Sequence, residues 1–231
     1  MCKSCGCGAS RIVRFAPGLP VMADLDAQAK NNTRSFNDAG TWVVNLISAP
    51  GSGKTSLLAA TLPRLKSEFS LGVMVGDVAT DNDAKRLSLS GVKCVQITTG
   101  NVCHLDATMI ARAWAQWPDP KPQILFIENV GNLVCPVEFD LGHHVTVILL
   151  SVTEGEDKPQ KYPAAFAAAD CVVLSKCDLL PYVPFDIESA NRYVRALAPT
   201  AAFCQVAVAA VIPDIAADIV ANSAPTIESW L

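Results

Sequence analysis

The stretch "WVVNLISAPGSGKTSLL", residues 42–58, constrains this chain more than any other. An apolar, β-branched run passes into a loop of small residues and then into a helical pattern, so strand, tight turn and helix must follow without a break. Gly51 and Gly53 allow such a loop to turn its N–H groups inward as an anion nest, and the helix expected from Gly53 adds its positive end. Gly51, Ser52, Gly53, Lys54, Thr55 and Ser56 are therefore the expected phosphate-binding residues. Lys54 would reach the β- and γ-phosphates, and the Thr55 hydroxyl would coordinate Mg2+. The common pattern G-x-x-x-x-G-K-[ST] asks for glycine at position 48, where this chain has Ser48.

The chain around this stretch alternates in the same way. Strand-like runs stand at "LGVMVGD" (71–77), "VKCVQIT" (92–98), "QILFIEN" (123–129), "VTVILLSV" (145–152), "CVVLSK" (171–176) and "FCQVAV" (203–208). Helical patterns lie between them, near Asp83–Ser90, Leu105–Trp117, Lys158–Ala168 and Asp186–Leu197. Continuous apolar strands separated by helices are the signature of a mostly parallel sheet with helices on both faces, and such sheets bind ligands at the carboxyl ends of their strands. Residues 8–40 show no strand-like run, and "DLDAQAKNNTRSFNDAG" (24–40) reads as a helix closing an N-terminal arm. The expected organisation is a cysteine-containing arm and helix over 1–40 and an α/β nucleotide-binding domain over 41–231.

A phosphate loop needs acids to hold magnesium and position water. Asp77 ends the run "VMVGD" and Glu128 ends "ILFIENVG", with Gly131 three residues on. The E-x-x-G spacing would let Glu128 hold the magnesium shell while the Gly131 N–H senses the γ-phosphate. Further on, Ser175, Lys176 and Asp178 in "VVLSKCDLL" resemble the N-K-x-D element that reads guanine, with serine where asparagine is usual. Asp178 would accept from guanine N1 and N2, and the Lys176 aliphatic chain would lie over the base.

Composition excludes other classes. Hydrophobic residues make up 51% and charged residues 17%, which is globular, and a net charge of -4 offers no basic footprint for nucleic acid. The longest apolar runs fall short of the roughly 18 residues that suggest a membrane span. No apolar signal segment stands in the first 15 residues, so a cytoplasmic location is expected. There thiols stay reduced, and nine cysteines read as metal ligands and small buried hydrophobes rather than a disulfide framework. Cys2, Cys5 and Cys7 supply three thiols, one fewer than a closed four-cysteine zinc site needs, which suits a metal that is held and released. Cys94, Cys171 and Cys204 read as buried small hydrophobes, and His143 and His144 as solvated loop residues.

Taken together, "CKSCGCG", "APGSGKTSLL", "GDVATDNDAKRL", "TGNVCHLDATMI", "FIENVGNLVCPVEFDLG", "SVTEGEDKPQKYP" and "SKCDLLPY" resemble the HypB family of SIMIBI-class P-loop GTPases, which help insert nickel into [NiFe] hydrogenase. The resemblance implies a P-loop NTPase fold, hydrolysis of GTP to GDP with Mg2+, and catalytic roles for Lys54, Thr55, Asp77 and Glu128; no obvious catalytic glutamine is visible, so turnover is expected to be slow. It implies tight Ni2+ binding at Cys2, Cys5 and Cys7, and a weaker Ni2+ or Zn2+ site at Cys103, His104 and Cys135. It also implies a homodimer dependent on nucleotide or metal, with the hydrogenase large subunit and nickel-delivery accessory proteins as partners. Three protein ligands at the second site leave room for a metal shared with a second copy across a two-fold axis. Two departures stand out: Ser175, and a C-terminal stretch from Val206 that lacks the "SAKTGEG"-like segment that helps hold the base. Two other classes stay open at this stage, a nickel or zinc store or sensor with little turnover and a P-loop small-molecule kinase.

Overall fold

The structure, a computed structural model, describes residues 22–207 in full and the backbone of residues 11–14. Cys2, Cys5, Cys7 and the C-terminal departure beyond residue 207 lie outside the described residues.

Eight strands form one sheet: β1 (Arg11–Arg14), β2 (Trp42–Ser48), β3 (Leu71–Asp77), β4 (Lys93–Thr98), β5 (Ile124–Glu128), β6 (Val145–Ser151), β7 (Cys171–Ser175) and β8 (Ala202–Gln205). Their spatial order is β1-β4-β3-β5-β2-β6-β7-β8, and every pairing is parallel. Parallel neighbours require crossovers, and the helices provide them: α1 (Met22–Asp38), α2 (Lys54–Leu65), α3 (Asn82–Ser88), α4 (Ala107–Ala115), α5 (Lys158–Lys161), α6 (Pro163–Ala167) and α7 (Ile187–Leu197).

The alternation of side chains along β2 explains how both faces are covered. Val44 and Leu46 face Leu58 and Leu62 of α2 and Leu87 of α3, whereas Val43 joins Phe36 of α1 and Ile110 and Trp114 of α4. Ile47 belongs to a third apolar cluster with Phe166 of α6 and Val194 of α7. From β2 the chain moves outward to β3 and β4, returns through β5, and then builds β6, β7 and β8 on the other side. The carboxyl end of β2, between β5 and β6, is thus the switch point at which open α/β sheets bind ligands.

The expectation of no strand before Trp42 is corrected, because Arg11–Arg14 pairs with Val95–Thr98 at the sheet edge. The helix read as the end of an arm is packed into the body: Asn32 is 3% exposed and its Nδ2 donates to Ala107 O (2.8 Å) and Leu141 O (2.9 Å). Phe36 meets Trp114 edge to face, with centroids 5.0 Å apart. Sequence periodicity registered the apolar stripe of α1 but not the surface that covers it. The single helix expected over Lys158–Ala168 is two, because Pro163 lacks an N–H and Tyr162 before it leaves the helical region (φ −126°, ψ 56°). α4 starts two residues later than expected, where the Asp106 side chain accepts from Met109 N and caps it.

Candidate functional site

β2 delivers the chain into the phosphate loop at Ser48. Gly51 and Gly53 take φ values of +78° and +101°, and a Cβ on either would meet nothing within 4 Å, so conformation rather than space demands glycine there. Lys54 opens α2, is only 8% exposed, and its Nζ donates to Ser48 Oγ at 2.9 Å. The residue that breaks the common pattern therefore holds the loop's ammonium group.

Glu128, at the end of β5, is 3% exposed. Its Oε1 accepts from Thr55 Oγ1 at 2.7 Å, and its Oε2 is buried without a protein partner. Burial pushes its carboxyl up to about 7, against the opposing pull of Thr55 and Lys54. Burial also lowers the Lys54 ammonium below its ordinary range, against the nearby Glu128 carboxylate. Both groups move toward neutrality, so their mutual attraction does not repay desolvation. A phosphate for Lys54 and a hard cation for Glu128 would supply what each lacks. The orphaned Oε2 and the adjacent Thr55 hydroxyl form an all-oxygen donor set of the kind Mg2+ takes.

Asp77 closes β3, and its Oδ1 accepts from the N–H groups of Ala79 (2.8 Å) and Thr80 (2.7 Å). One carboxylate oxygen thus shapes the turn after the strand. Gly131 passes close over the loop: a Cβ there would lie 3.1 Å from Pro50 Cα. These groups surround a cavity of about 420 Å³ lined by Gly51, Gly53, Lys54, Thr55, Ser56, Asp77, Glu128 and Gly131. Ser52 does not line it: its hydroxyl turns away to Ala49 O (2.8 Å) and to Glu154, and its N–H donates to Ala49 O at 3.4 Å. Asp83 and Arg86 of α3, and Asn129, complete the wall. Sequence reasoning did not single out these three. The i, i+3 spacing of Asp83 and Arg86 places them on one helix face, but a charged pair on a surface helix carries no signal of its own.

Ser175, Lys176 and Asp178 do not line this cavity. Ser175 ends β7 and the other two follow it, on the β6 side of the loop, whereas the cavity opens on the β3 and β5 side. Ser175 is 4% exposed and its hydroxyl donates to Ser52 O at 2.7 Å, which ties the segment to the phosphate loop. Lys176 adopts a left-handed φ of 61°, and Asp178 is exposed on the short 3-10 turn Cys177–Leu179.

A second cluster lies beside the Glu128–Gly131 segment. Cys103 and His104 come from the loop after β4 and Cys135 from the loop after β5, yet their ligand atoms lie within 4.8 Å of one another. The two thiols are in direct contact, with Cys103 Sγ 3.0 Å from Cys135 Sγ. The His104 ring stacks on Phe139 (3.8 Å between centroids, 7° between planes), and its Nδ1 is buried without a partner. Burial lowers the imidazole below its ordinary range, which favours the neutral form that binds metals. Two sulfur donors and one nitrogen suit nickel or zinc and stop one short of a tetrahedral shell.

The other cysteines and histidines differ in part from expectation. Cys94 and Cys171 are buried, and burial lifts the Cys94 thiol to about 11, but Cys204 is only partly buried. His143 and His144 are only partly exposed, and both rings have partners. His143 Nε2 lies 2.8 Å from Thr146 Oγ1, and the His144 ring stacks on Trp42 at 4.4 Å. His144 Nδ1 accepts from Val43 N (3.0 Å) and Nε2 faces Asn37 Oδ1 (2.9 Å), while burial pushes the ring down to about 4. These partners sit 101 and 107 residues away, so nothing local in the sequence announces them.

A strand, glycine loop and helix at the switch point of a parallel sheet, with a buried lysine and carboxylate beneath, define a P-loop nucleotide-binding protein. A family profile described as "CobW/HypB/UreG, nucleotide-binding domain" matches residues 42–205. The hydrogenase maturation factor HypB of Azotobacter vinelandii is 48% identical over 194 residues, 84% of this chain and 63% of that protein. The HypB of Escherichia coli K12 is 52% identical over 194 residues, 80% of this chain and 67% of that protein. A crystal structure of HypB from Helicobacter pylori in complex with nickel superposes with a TM-score of 0.78 at 39% identity, over 81% of this chain and 88% of that one. The chain belongs to the CobW/HypB/UreG family and is similar to its HypB members. It spans about 63% of the length of the Azotobacter relative. Among the described residues, no helix is long and apolar enough to cross a membrane.

Proposed function

We propose that the chain is a GTP-hydrolysing nickel metallochaperone that delivers Ni2+ during maturation of a [NiFe] hydrogenase. The observation that carries this reading is the sharing of one segment by two sites: Glu128 faces the phosphate loop, and Cys135, seven positions on, completes the Cys103–His104 cluster. A nucleotide enzyme with no metal task would have no use for that connection.

In this reading the N–H groups from Gly51 to Ser56 and the α2 N-terminus cradle the phosphates, and Lys54 leaves Ser48 for the β- and γ-phosphate oxygens. Thr55, Asp77 and Glu128 would hold Mg2+, which neutralises phosphate charge when bound. Gly131, already against Pro50, offers its N–H to the γ-phosphate, so segment 128–135 responds to hydrolysis. Lys176 and Asp178 read guanine from the β7 side. Water attacks the γ-phosphorus and GDP leaves, with positioning and charge as the sources of acceleration and turnover accordingly slow.

The terminal thiols Cys2, Cys5 and Cys7 hold the tighter Ni2+, and Cys103, His104 and Cys135 hold Ni2+ or Zn2+. That cluster is one ligand short, Cys103 is exposed, and Val134 beside Cys135 is 51% exposed, so a second copy can close the shell across a nucleotide- or metal-dependent homodimer. The hydrogenase large subunit and nickel-delivery accessory proteins are the proposed partners, in the cytoplasm.

Phosphate release under multiple turnover tests the reading. GTP with Mg2+ is expected to yield several equivalents of phosphate per chain and ATP far less, while Cys135→Ala loses the weaker of two classes of Ni2+ site. Nucleotide binding without turnover would replace the enzyme by a nucleotide-binding nickel store.

A further inference from the structure

Asn129 follows Glu128 at the end of β5, lines the nucleotide cavity and is 1% exposed. Its backbone N–H donates to Leu46 O at 3.0 Å, which anchors it on β2. Its side chain joins three parts of the fold. Oδ1 accepts from Val130 N (2.9 Å) and from Leu105 N (3.2 Å), and Nδ2 donates to Asn45 Oδ1 (3.3 Å). Leu105 is fully buried, and its N–H belongs to the peptide that links it to His104. One amide side chain therefore reaches from the wall of the nucleotide cavity to the backbone of a cluster residue.

The three cluster residues ride on two loops, and the loops need a common reference if they are to move together. Cys135 has one along the chain, because Asn132 bridges Ser48 of the phosphate loop and Gly131 abuts Pro50. Cys103 and His104 have no such covalent route to the phosphate loop. The start of their loop is held to Asp77 through Thr99 N (2.9 Å), and the link nearest His104 is Asn129; the unpartnered His104 Nδ1 leaves the imidazole placed by its own backbone and by the stack on Phe139. A shift of residues 128–131 must carry the Leu105 N–H along or break that hydrogen bond. Carried along, Cys103 and His104 keep their register with Cys135; released, they lose it, so this hydrogen bond decides the geometry of the cluster.

We infer that Asn129 is the positioning residue through which the nucleotide state sets the geometry of the Cys103–His104–Cys135 cluster. The inference rests on the reading above, in which the cavity takes GTP and the cluster takes a metal. Asparagine suits the role because one neutral group offers an acceptor to two backbone donors and a donor to Asn45; leucine would orphan the Leu105 N–H, and serine is too short to span both bonds.

The test uses the full chain carrying Cys2→Ser, Cys5→Ser and Cys7→Ser, so that metal binding reports the cluster. Zn2+ is titrated against a chromophoric chelator, once with GDP and once with a nonhydrolysable GTP analogue. In this background the two dissociation constants are expected to differ by at least about fivefold, the lower end of common coupling strengths. Asn129→Ala is expected to bring their ratio toward unity. Asn129→Asp keeps an acceptor for Leu105, and the Asn45 amide, whose Nδ2 has no partner, can turn to donate to the new carboxylate; this variant is expected to restore the ratio, even though its charge beside Glu128 weakens both nucleotides. A residue needed only for packing would not give that rescue. If the alanine variant does not fold, Asn45→Ala removes the amide's anchor on β2 and is expected to lower the same ratio. An unchanged ratio in the alanine variants, or its loss in Asn129→Asp as well, overturns the inference. A background chain that binds no zinc, or binds it equally in both states, defeats the coupled-site reading itself and not the choice of Asn129.

Discussion

At the phosphate end of the nucleotide site, Lys54 is 8% exposed and Glu128 3% exposed, each desolvated beyond what the other repays. At the turn proposed to read the base, Asp178 is exposed on a 3-10 turn and the Ser175 hydroxyl donates to Ser52 O. The first region stores electrostatic cost that a ligand can release, whereas the second is an exposed turn with a left-handed backbone at Lys176, a conformation worth about 1–3 kcal/mol. Affinity should therefore sit with the phosphates and selectivity with the base. On the proposed reading, such a site would bind any nucleoside triphosphate by the same buried charges and discriminate among them at its rim.

Three measurements would break or sharpen that contrast. The largest effect is expected at Lys54. Removing one partner of a buried charge pair costs about 2–5 kcal/mol, so Lys54→Ala should weaken GTP roughly 30-fold or more. GDP and ATP should fall with it, as isothermal titration would show. A loss confined to GTP would place the contrast wrongly.

Glu128 comes next and pulls in two directions. Its carboxyl titrates near 7 in the folded chain against 4.5 ordinarily, so between those values the native state holds the proton that the unfolded chain releases. Ionising Glu128 thus costs stability, fully so above pH 7. Glu128→Gln should make the ligand-free protein more stable at pH 8, by up to about 3 kcal/mol less what Lys54 loses with its partner. The gain should vanish near pH 4.5, and Mg2+-dependent turnover should disappear. Denaturant unfolding at the two pH values checks the sign, and a variant less stable at pH 8 would remove the claim that this end stores desolvation cost.

The smallest effect is expected at Asp178. Leaving a base-edge donor without its acceptor costs about 1–3 kcal/mol, so Asp178→Ala should weaken GTP several-fold and leave ATP unchanged. Because Asp178 is exposed, the lower half of that range applies. Equal affinity of the parent chain for GTP and ATP would show that the rim reads nothing.

Much of this arrangement was legible before any coordinates. The strand and helix alternation, the phosphate loop and the placement of Asp77 and Glu128 at strand ends are local features, and the structure bears them out within a few residues. Ser48 shows where local reading stops: the pattern marks it as a departure, but only its 2.9 Å contact with Lys54 shows what it does. The same holds for Ser175, whose partner Ser52 is 123 residues away, and for the short strand Arg11–Arg14, which is strand only because β4 offers it an edge. Asp83, Arg86 and Asn129 were silent because nothing in their sequence neighbourhood distinguishes a cavity wall from a solvated helix or a strand end.

By itself, then, the sequence determined the secondary-structure alternation, the glycine loop before Lys54 and the apolar faces that force a parallel sheet, since each depends on spacings of a few residues. The tertiary structure decided which thiols meet, which histidines are drawn into contacts and which acid loses its solvent. The gathering of Cys103, His104 and Cys135 within 4.8 Å requires two loops 32 positions apart to be set side by side by β4, β3 and β5. The pKa of Glu128 near 7 requires the whole core to exclude water from one oxygen. Burial and long-range contact are properties of the packed chain, and no short window of residues contains them.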